Sequence, residues 1–152
     1  MNRINIIFLL FLLHLQAYPE NKKPIEIVAD NMEWNKQIGE AIAMGNAIAI
    51  QGQTTIKANK IIAVLSKDNS QQITELKASG NVEFSKDKQS ATGDKATYYI
   101  NQEKVIITGK VELKKDGNII KGEKLVIDFL SGLSKMKSSG TNQKVKMKYS
   151  TE

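Results

Sequence analysis

Acidic side chains recur beside small residues at regular intervals, so they are the first candidates for chemistry. Asp30, Asp94 and Glu123 each directly follow an alanine or a glycine, and Asn59 holds the equivalent place between the first two. Paired carboxylates can hydrolyse glycosidic bonds. Here, however, one carboxylate or amide comes with each repeat of a longer pattern, which favours a role within the repeat. We expect these side chains to satisfy backbone groups at bends.

Other catalytic residue types are scarce. The chain contains no Cys, and its single His is His14, which falls in an apolar N-terminal segment. Without that segment, the Cys and His nucleophile–base pairs and the usual zinc ligands are absent. No GxSxG, SxxK or phosphate-loop pattern occurs. We therefore expect no enzyme activity, no cofactor and no metal site.

The formal net charge is +6, and apart from Arg3 every basic residue is a lysine. Proteins that bind nucleic acids normally use arginine forks for bases and phosphates, so we expect no nucleic-acid partner. The lysines suit contact with lipid phosphates, but a solvated face that discourages edge aggregation is the favoured interpretation. They cluster at Lys110, Lys114, Lys115, Lys121 and Lys124, and they alternate at Lys144, Lys146 and Lys148.

The N-terminus has the pattern of an export signal. Arg3 supplies a positive charge, an apolar run extends from Ile4 to Leu13, and Ala17 precedes a polar stretch. This pattern is typical of a secretory signal, and the run is shorter than the roughly 20 residues of a membrane-spanning helix. We predict a cleaved signal at residues 1–17, a linker at 18–24 and one domain at 25–149. An uncleaved anchor is the alternative.

The rest of the chain repeats a unit of about 29 residues. In three segments a glycine that opens a strand-like run is followed 13 positions later by a second small residue. These pairs are Gly45 and Ala58, Gly80 and Gly93, and Gly109 and Gly122. Ala29 opens a further half unit, and the SKDNSQQ region reads as an insertion. Such self-similarity indicates stacked supersecondary units.

Apolar residues recur in steps of two within each run, which is the period of a strand. The parity slips by one across the small residue, as between Ile56, Ala58 and Ile61. A slip of this kind indicates a β-bulge or a sharp corner. Asp116 and Gly117 favour a tight hairpin turn. The pattern predicts an all-β fold in which bent antiparallel hairpins stack into an elongated, curled sheet with an apolar inside.

Four segments resemble the LptA/OstA-like family of periplasmic lipopolysaccharide transport proteins in order and spacing. They are KPIEIVADNMEW, IKANKIIAV, ATGDKATYYINQEKVIITGKVEL and IKGEKLVIDF, and the resemblance covers roughly Lys23 to Lys137. It implies a twisted antiparallel β-jellyroll, open at both ends and located in the periplasm. It also implies that the protein carries lipopolysaccharide from the inner to the outer membrane, with the acyl chains in an apolar groove.

The resemblance also implies partners. These would be LptC-like inner-membrane and LptD-like outer-membrane jellyroll domains, and further copies of the chain stacked head to tail. A last strand near Val145 to Tyr149 would supply the tail edge for stacking. Two alternatives stay open: a membrane-anchored LptC-like protein, and a lipid-free scaffold that adds strands to its partners.

In the family, an apolar pair of the opening strand lies on the lipid path, which corresponds here to Ile25 and Ile27. Spacing alone favours an ordinary dry core. Trp34 and the pair Tyr98–Tyr99 suit either sugar faces or cross-strand aromatic contacts. The implied lipid-contacting set is Ile25, Ile27, Ile48, Ile50, Ile56, Leu65, Val82, Phe84, Tyr98, Ile100, Ile107, Val111, Leu113, Ile127 and Phe129.

Overall fold

A computed structural model describes residues 23–68 and 70–150, and all the regular secondary structure in them is β. The signal predicted at 1–17 lies outside the described residues. Ten strands form one antiparallel sheet. They are β1 (Glu26–Val28), β2 (Asn31–Asn35), β3 (Glu40–Gln51), β4 (Thr54–Leu65), β5 (Ile73–Lys86), β6 (Gln89–Tyr99), β7 (Lys104–Lys115), β8 (Asn118–Asp128), β9 (Leu133–Lys137) and β10 (Lys146–Lys148).

Each strand from β3 to β8 pairs with the next one along the chain. At one edge β1 and β2 both pair with β3, and at the other edge β9 and β10 both pair with β8. The β7–β8 turn has positive φ at Asp116 and Gly117, as the predicted tight hairpin turn requires. The short β10 lies within the region predicted for the last strand. The sheet is therefore open, with one edge at each end of the chain.

Every long strand bends at the predicted corner. The register between neighbouring strands shifts there, for example between Ser79 and Val82 of β5. Gly80 has φ 79° and Asn81 has φ 49°, and the Gly-Asn and Gly-Lys pairs at residues 45–46 and 109–110 repeat this left-handed pair. Glycine suits this conformation because it has no Cβ to clash. The bends divide the sheet into two layers.

We call these layers A and B. Layer A comprises β1, β10 and the halves of β3 to β8 that adjoin the two-residue turns 52–53, 87–88 and 116–117. Layer B comprises β2, β9 and the other halves, which adjoin the connections 66–72, 100–103 and 129–132. The first of these connections is the predicted SKDNSQQ insertion.

The small residues at the corners make room for side chains of layer B. A Cβ on Gly93 would lie 2.5 Å from Cγ2 of Ile107, and one on Gly122 would lie 2.5 Å from Cγ of Met136. Real Cβ atoms do not approach this closely. The repeated small residue therefore lets an apolar side chain of the next strand reach across the bend.

The two layers pack face to face through one apolar core. The ring centroid of Phe84 in layer A is 5.9 Å from that of Tyr98 in layer B, and 5.8 Å from that of Phe129 at the end of β8. Such separations are favourable for aromatic pairs. Since the chain has no Cys, this packing and the sheet ladder hold the fold. No helix that could traverse a bilayer occurs in the part of the chain that the structure describes.

Candidate functional site

The recurring acidic and amide side chains lie at the corners. Asn46 Nδ2 donates a hydrogen bond to Asp30 Oδ2 at 2.9 Å, and the Asp30 backbone N–H donates to the Gly45 carbonyl at 2.9 Å. At the next corner Asn81 Nδ2 donates to Asn59 Oδ1 at 3.4 Å. Each side chain thus covers a glycine in the left-handed conformation.

The later corners follow the same scheme with one change. Asp94 packs against Gly109, and Glu123 accepts a hydrogen bond from the Lys110 backbone N–H at 3.3 Å. The predicted position of these residues at the bends is confirmed. Among the described residues, Glu123 accepts from a backbone N–H as expected, whereas Asp30 and Asn59 accept from side-chain amides instead. Within residues 23–68 and 70–150, no group of three or more His, Cys, Asp or Glu side chains is placed to hold a metal ion.

Most of the implied lipid-contacting residues lie between the two layers. Ile25, Ile27 and Phe129 are partly buried and pack against the core, and Leu65 is half-buried at the end of β4. The fully buried members are Ile56, Val82, Phe84, Tyr98, Ile100, Ile107, Val111, Leu113 and Ile127. Twelve of the 15 residues therefore belong to one continuous core or pack against it.

The face expected for Ile48 and Ile50 is wrong. Their neighbours Ala47 and Ala49 are buried, and Ile48 pairs with the exposed Val28 across the strands. Because successive side chains of a strand point to opposite faces, both isoleucines lie outside. The corner at residues 45–46 determines which side chains of β3 face inward. The larger size of the isoleucines had suggested that they, and not the alanines, face inward.

The inner apolar face continues to both open edges. Trp34 is the cross-strand partner of the buried Ala41, yet it is 56% exposed, because no further strand among residues 23–68 and 70–150 covers it. Met147 of β10 is the partner of Ile120 and is 58% exposed at the other edge. Tyr98 lies in the core, so it does not share an aromatic mouth with Trp34.

A polar row runs along the inner face of layer A, one step beyond the apolar residues. Its members are successive cross-strand partners: Gln51, Thr54, Lys86, Gln89 and Lys115. Gln51 and Thr54 are 2% exposed and Lys86 is 6% exposed. Sequence reasoning missed this row because its members adjoin tight turns, where polar residues are ordinary. The alternation pattern nevertheless indicated this row, since its members occupy the positions of their strands that face inward.

Two cavities open along the seam where this row meets the connections of layer B. One of about 560 Å³ is lined by the isoleucines Ile25, Ile73 and Ile100 and by polar groups that include Gln51. The other, of about 350 Å³, is lined by Lys86, Gln89, Lys115 and Phe129, among others. Both volumes are in the range of small-molecule sites.

The two edges carry opposite charges. Residues 24–35 contain three acidic side chains and no basic one, whereas residues 129–150 contain five lysines and no acidic side chain. The exposed large apolar residues cluster at the same two ends. They are Val28, Met32, Trp34, Ile38, Met44 and Ile50 at the first, and Leu130, Leu133, Val145, Met147 and Tyr149 at the second.

An apolar interior between bent layers, open at both ends, accords with the family resemblance. The family model described as LptA/(LptD N-terminal domain) LPS transport protein matches residues 26–133. The chain belongs to this family. It is 26% identical over 116 residues to the lipopolysaccharide export system protein LptH of Pseudomonas aeruginosa, a match covering 72% of this chain and 65% of LptH.

A second relative is an uncharacterized protein of Rhizobium meliloti, 24% identical over 134 residues, with 84% of this chain and 72% of that protein covered. The crystal structure of LptH from Pseudomonas aeruginosa superposes with a TM-score of 0.78 at 19% identity, covering 87% of this chain and 99% of that chain. The predicted β-jellyroll is confirmed by this match. The LptH structure is described as the LptA-homologous periplasmic component of a lipopolysaccharide transport device.

Proposed function

We propose that this protein binds lipopolysaccharide in the periplasm and forms part of a bridge that carries it from the inner to the outer membrane. The observation that supports this most is the inner apolar face, which continues from Trp34 at one edge to Met147 at the other. The family membership and the likeness to LptH agree with it. The protein would act as a passive carrier without a catalytic step.

The acyl chains would lie between layers A and B. Each square ångström of apolar surface that leaves water contributes about 25 cal/mol of favourable free energy. Burial between the layers would therefore offset the free energy that the acyl chains lose when they leave a bilayer. Among the described residues, Phe84 and Lys86 of layer A contact Phe129 across the seam by a ring–ring and an ammonium–ring contact, both made by side chains. The layers can therefore part at the seam by side-chain movement while the ladder hydrogen bonds persist. Energy for directional movement would come from another component.

The edges suit continuation of the sheet into a neighbour. Since β1 and β2 run antiparallel to β3, and β9 and β10 run antiparallel to β8, the tail strands of one copy would meet the opening strands of the next in antiparallel order. Lysines such as Lys135 would then approach acidic residues such as Glu33. We propose head-to-tail contacts with further copies and with LptC-like and LptD-like jellyroll domains.

Photo-crosslinking at adjacent positions tests the lipid groove. A photoreactive amino acid replaces Ile27 or Phe84, whose side chains point inward, or their neighbours Val28 and Ser85, which point outward. We expect a saturable adduct with lipopolysaccharide at the two inner positions only. Absence of adducts at all four positions would indicate a dry interior and a scaffold that acts through its edges.

A further inference from the structure

Lys86 is a buried cation that has no anionic partner among the described residues. Its side chain points into the seam, where Nζ lies 3.4 Å from Thr54 Oγ1 and 5.1 Å from the ring centroid of Phe129. Among the ion pairs of the described residues, none includes Lys86. A buried ammonium without a carboxylate is unfavourable, because its lost hydration is only partly replaced. The position therefore suits an anion that enters from outside.

The cross-strand neighbours of Lys86 extend this site. Lys86 pairs with Gln89, and Gln89 pairs with Lys115, so two ammonium groups flank one amide along the wall of the cavity of about 350 Å³. The Oε1 atom of Gln89 is buried and accepts no hydrogen bond from the part of the chain that the structure describes. An amide oxygen of this kind needs a donor, which an anion alone does not provide.

Three other residues that line the cavity carry the opposite charge. Asp87, Glu103 and Asp128 contribute carboxylates, and Asp128 already accepts hydrogen bonds from the backbone N–H groups of Leu130 and Ser131. Three carboxylates against two ammonium groups would repel a plain phosphate. A ligand that brings its own positive charge beside the phosphate would satisfy both groups of side chains.

We propose that the cavity binds a headgroup in which a phosphate adjoins an ammonium group, as in phosphoethanolamine. The phosphate contacts Lys86 and Lys115, and the ammonium donates to Gln89 and to the facing carboxylates. The acyl chains of the same molecule pass Phe129 into the apolar interior. This inference rests on the proposed carriage of an amphiphile between the layers, and it names the headgroup chemistry that the seam prefers.

Binding of single-chain lipids to the full chain tests the inference. Three lipids share one acyl chain: lysophosphatidylethanolamine, lysophosphatidylglycerol and an uncharged monoacylglycerol, each titrated below its critical micelle concentration. We expect the ethanolamine lipid to bind at least about tenfold more tightly than the glycerol one, the effect of roughly one charge-assisted hydrogen bond. Lys86→Met should weaken both phospholipids by at least about tenfold, because both offer a phosphate to this ammonium.

Two further variants make the test specific. Lys88→Met removes an exposed charge from the same turn and should leave the affinity for both phospholipids unchanged. Glu103→Gln should lower the ratio of these two affinities by weakening the ethanolamine lipid alone, because it removes a carboxylate that faces the ammonium. The local backbone should be unchanged, since the N–H and carbonyl of residue 103, which pair with Ile100 and Phe129, are retained. Equal binding of both phospholipids, or phospholipid affinities that Lys86→Met leaves intact, would overturn the headgroup site while the lipid groove stands. Failure of all three lipids to bind would overturn the groove as well.

Discussion

The corner at Gly80 offers the sharpest test of how the sheet folds into two layers. Gly80 has φ 79°, and a Cβ at this position would lie 2.6 Å from Nδ2 of Asn59 and 3.0 Å from its Cβ and Cγ atoms. The amide group can rotate away, but the Asn59 Cβ is fixed to the backbone of β4. Replacing Gly80 with alanine therefore combines backbone strain with an overlap that the neighbour cannot fully relieve.

A matched control separates the two terms. Gly132 has φ 75°, and a Cβ there would meet nothing within 4 Å. Gly132→Ala should therefore cost only the left-handed backbone term, about 1–2 kcal/mol. Gly80→Ala should cost this plus about 1–3 kcal/mol for overpacking. We expect the difference between the two variants to be about 2 kcal/mol in free energy of unfolding.

Urea unfolding followed by far-ultraviolet circular dichroism measures both variants under the same conditions. Asn59→Gly in the Gly80→Ala background should recover part of the loss, because it removes all three overlapping atoms. A double-mutant cycle would then show a coupling between the two positions. Equal destabilisation by Gly80→Ala and Gly132→Ala, without coupling to residue 59, would refute the role given to the covering side chain.

Three further outcomes are expected. Phe84→Ala should lower the free energy of unfolding by about 3–5 kcal/mol, because it removes a buried ring that joins both layers, and urea denaturation checks this. The backbone N–H of Ser131 holds the pKa of Asp128 below its usual 3.8, so this carboxylate stabilises the fold above that pH and the contribution disappears as the pH falls through the lowered value. Asp128→Asn should thus destabilise at pH 7 and match the parent below the lowered pKa, as thermal unfolding across pH would show. Changing Lys135 and Lys137 to Glu should weaken head-to-tail association at low salt, whereas unchanged sedimentation would argue against charge pairing of the edges.

Several features followed from the sequence because they depend on local periodicity. The two-residue period of the apolar runs predicts strands, and the slip in parity between Ala58 and Ile61 predicts the corner that the register shift between Lys57 and Lys60 confirms. The turn at Asp116 and Gly117 follows from the backbone freedom of those two residues. Recurrence of the same small and acidic residues then predicts stacked units of one kind.

Which side chains line the interior of the groove could not be predicted from the apolar pattern alone. A run such as AIAIQ has two possible inner faces, and only pairing with β1 and β4 shows that Ala47 and Ala49 face inward while Ile48 and Ile50 face out. A shift of one residue exchanges the two faces of a strand, so a misjudged corner reverses every assignment in that strand.

The strands, their corners and turns and the repeat could all be predicted without a structure, because each of these follows from residues close together in the chain. Which side chains meet across the two layers depends on the folded arrangement of distant segments. Lys86, for example, reaches the ring of Phe129, which lies 43 positions later in the chain, because the bends fold layer A over layer B. Contacts of this kind depend on the summed geometry of several corners and ladders, which no local pattern contains.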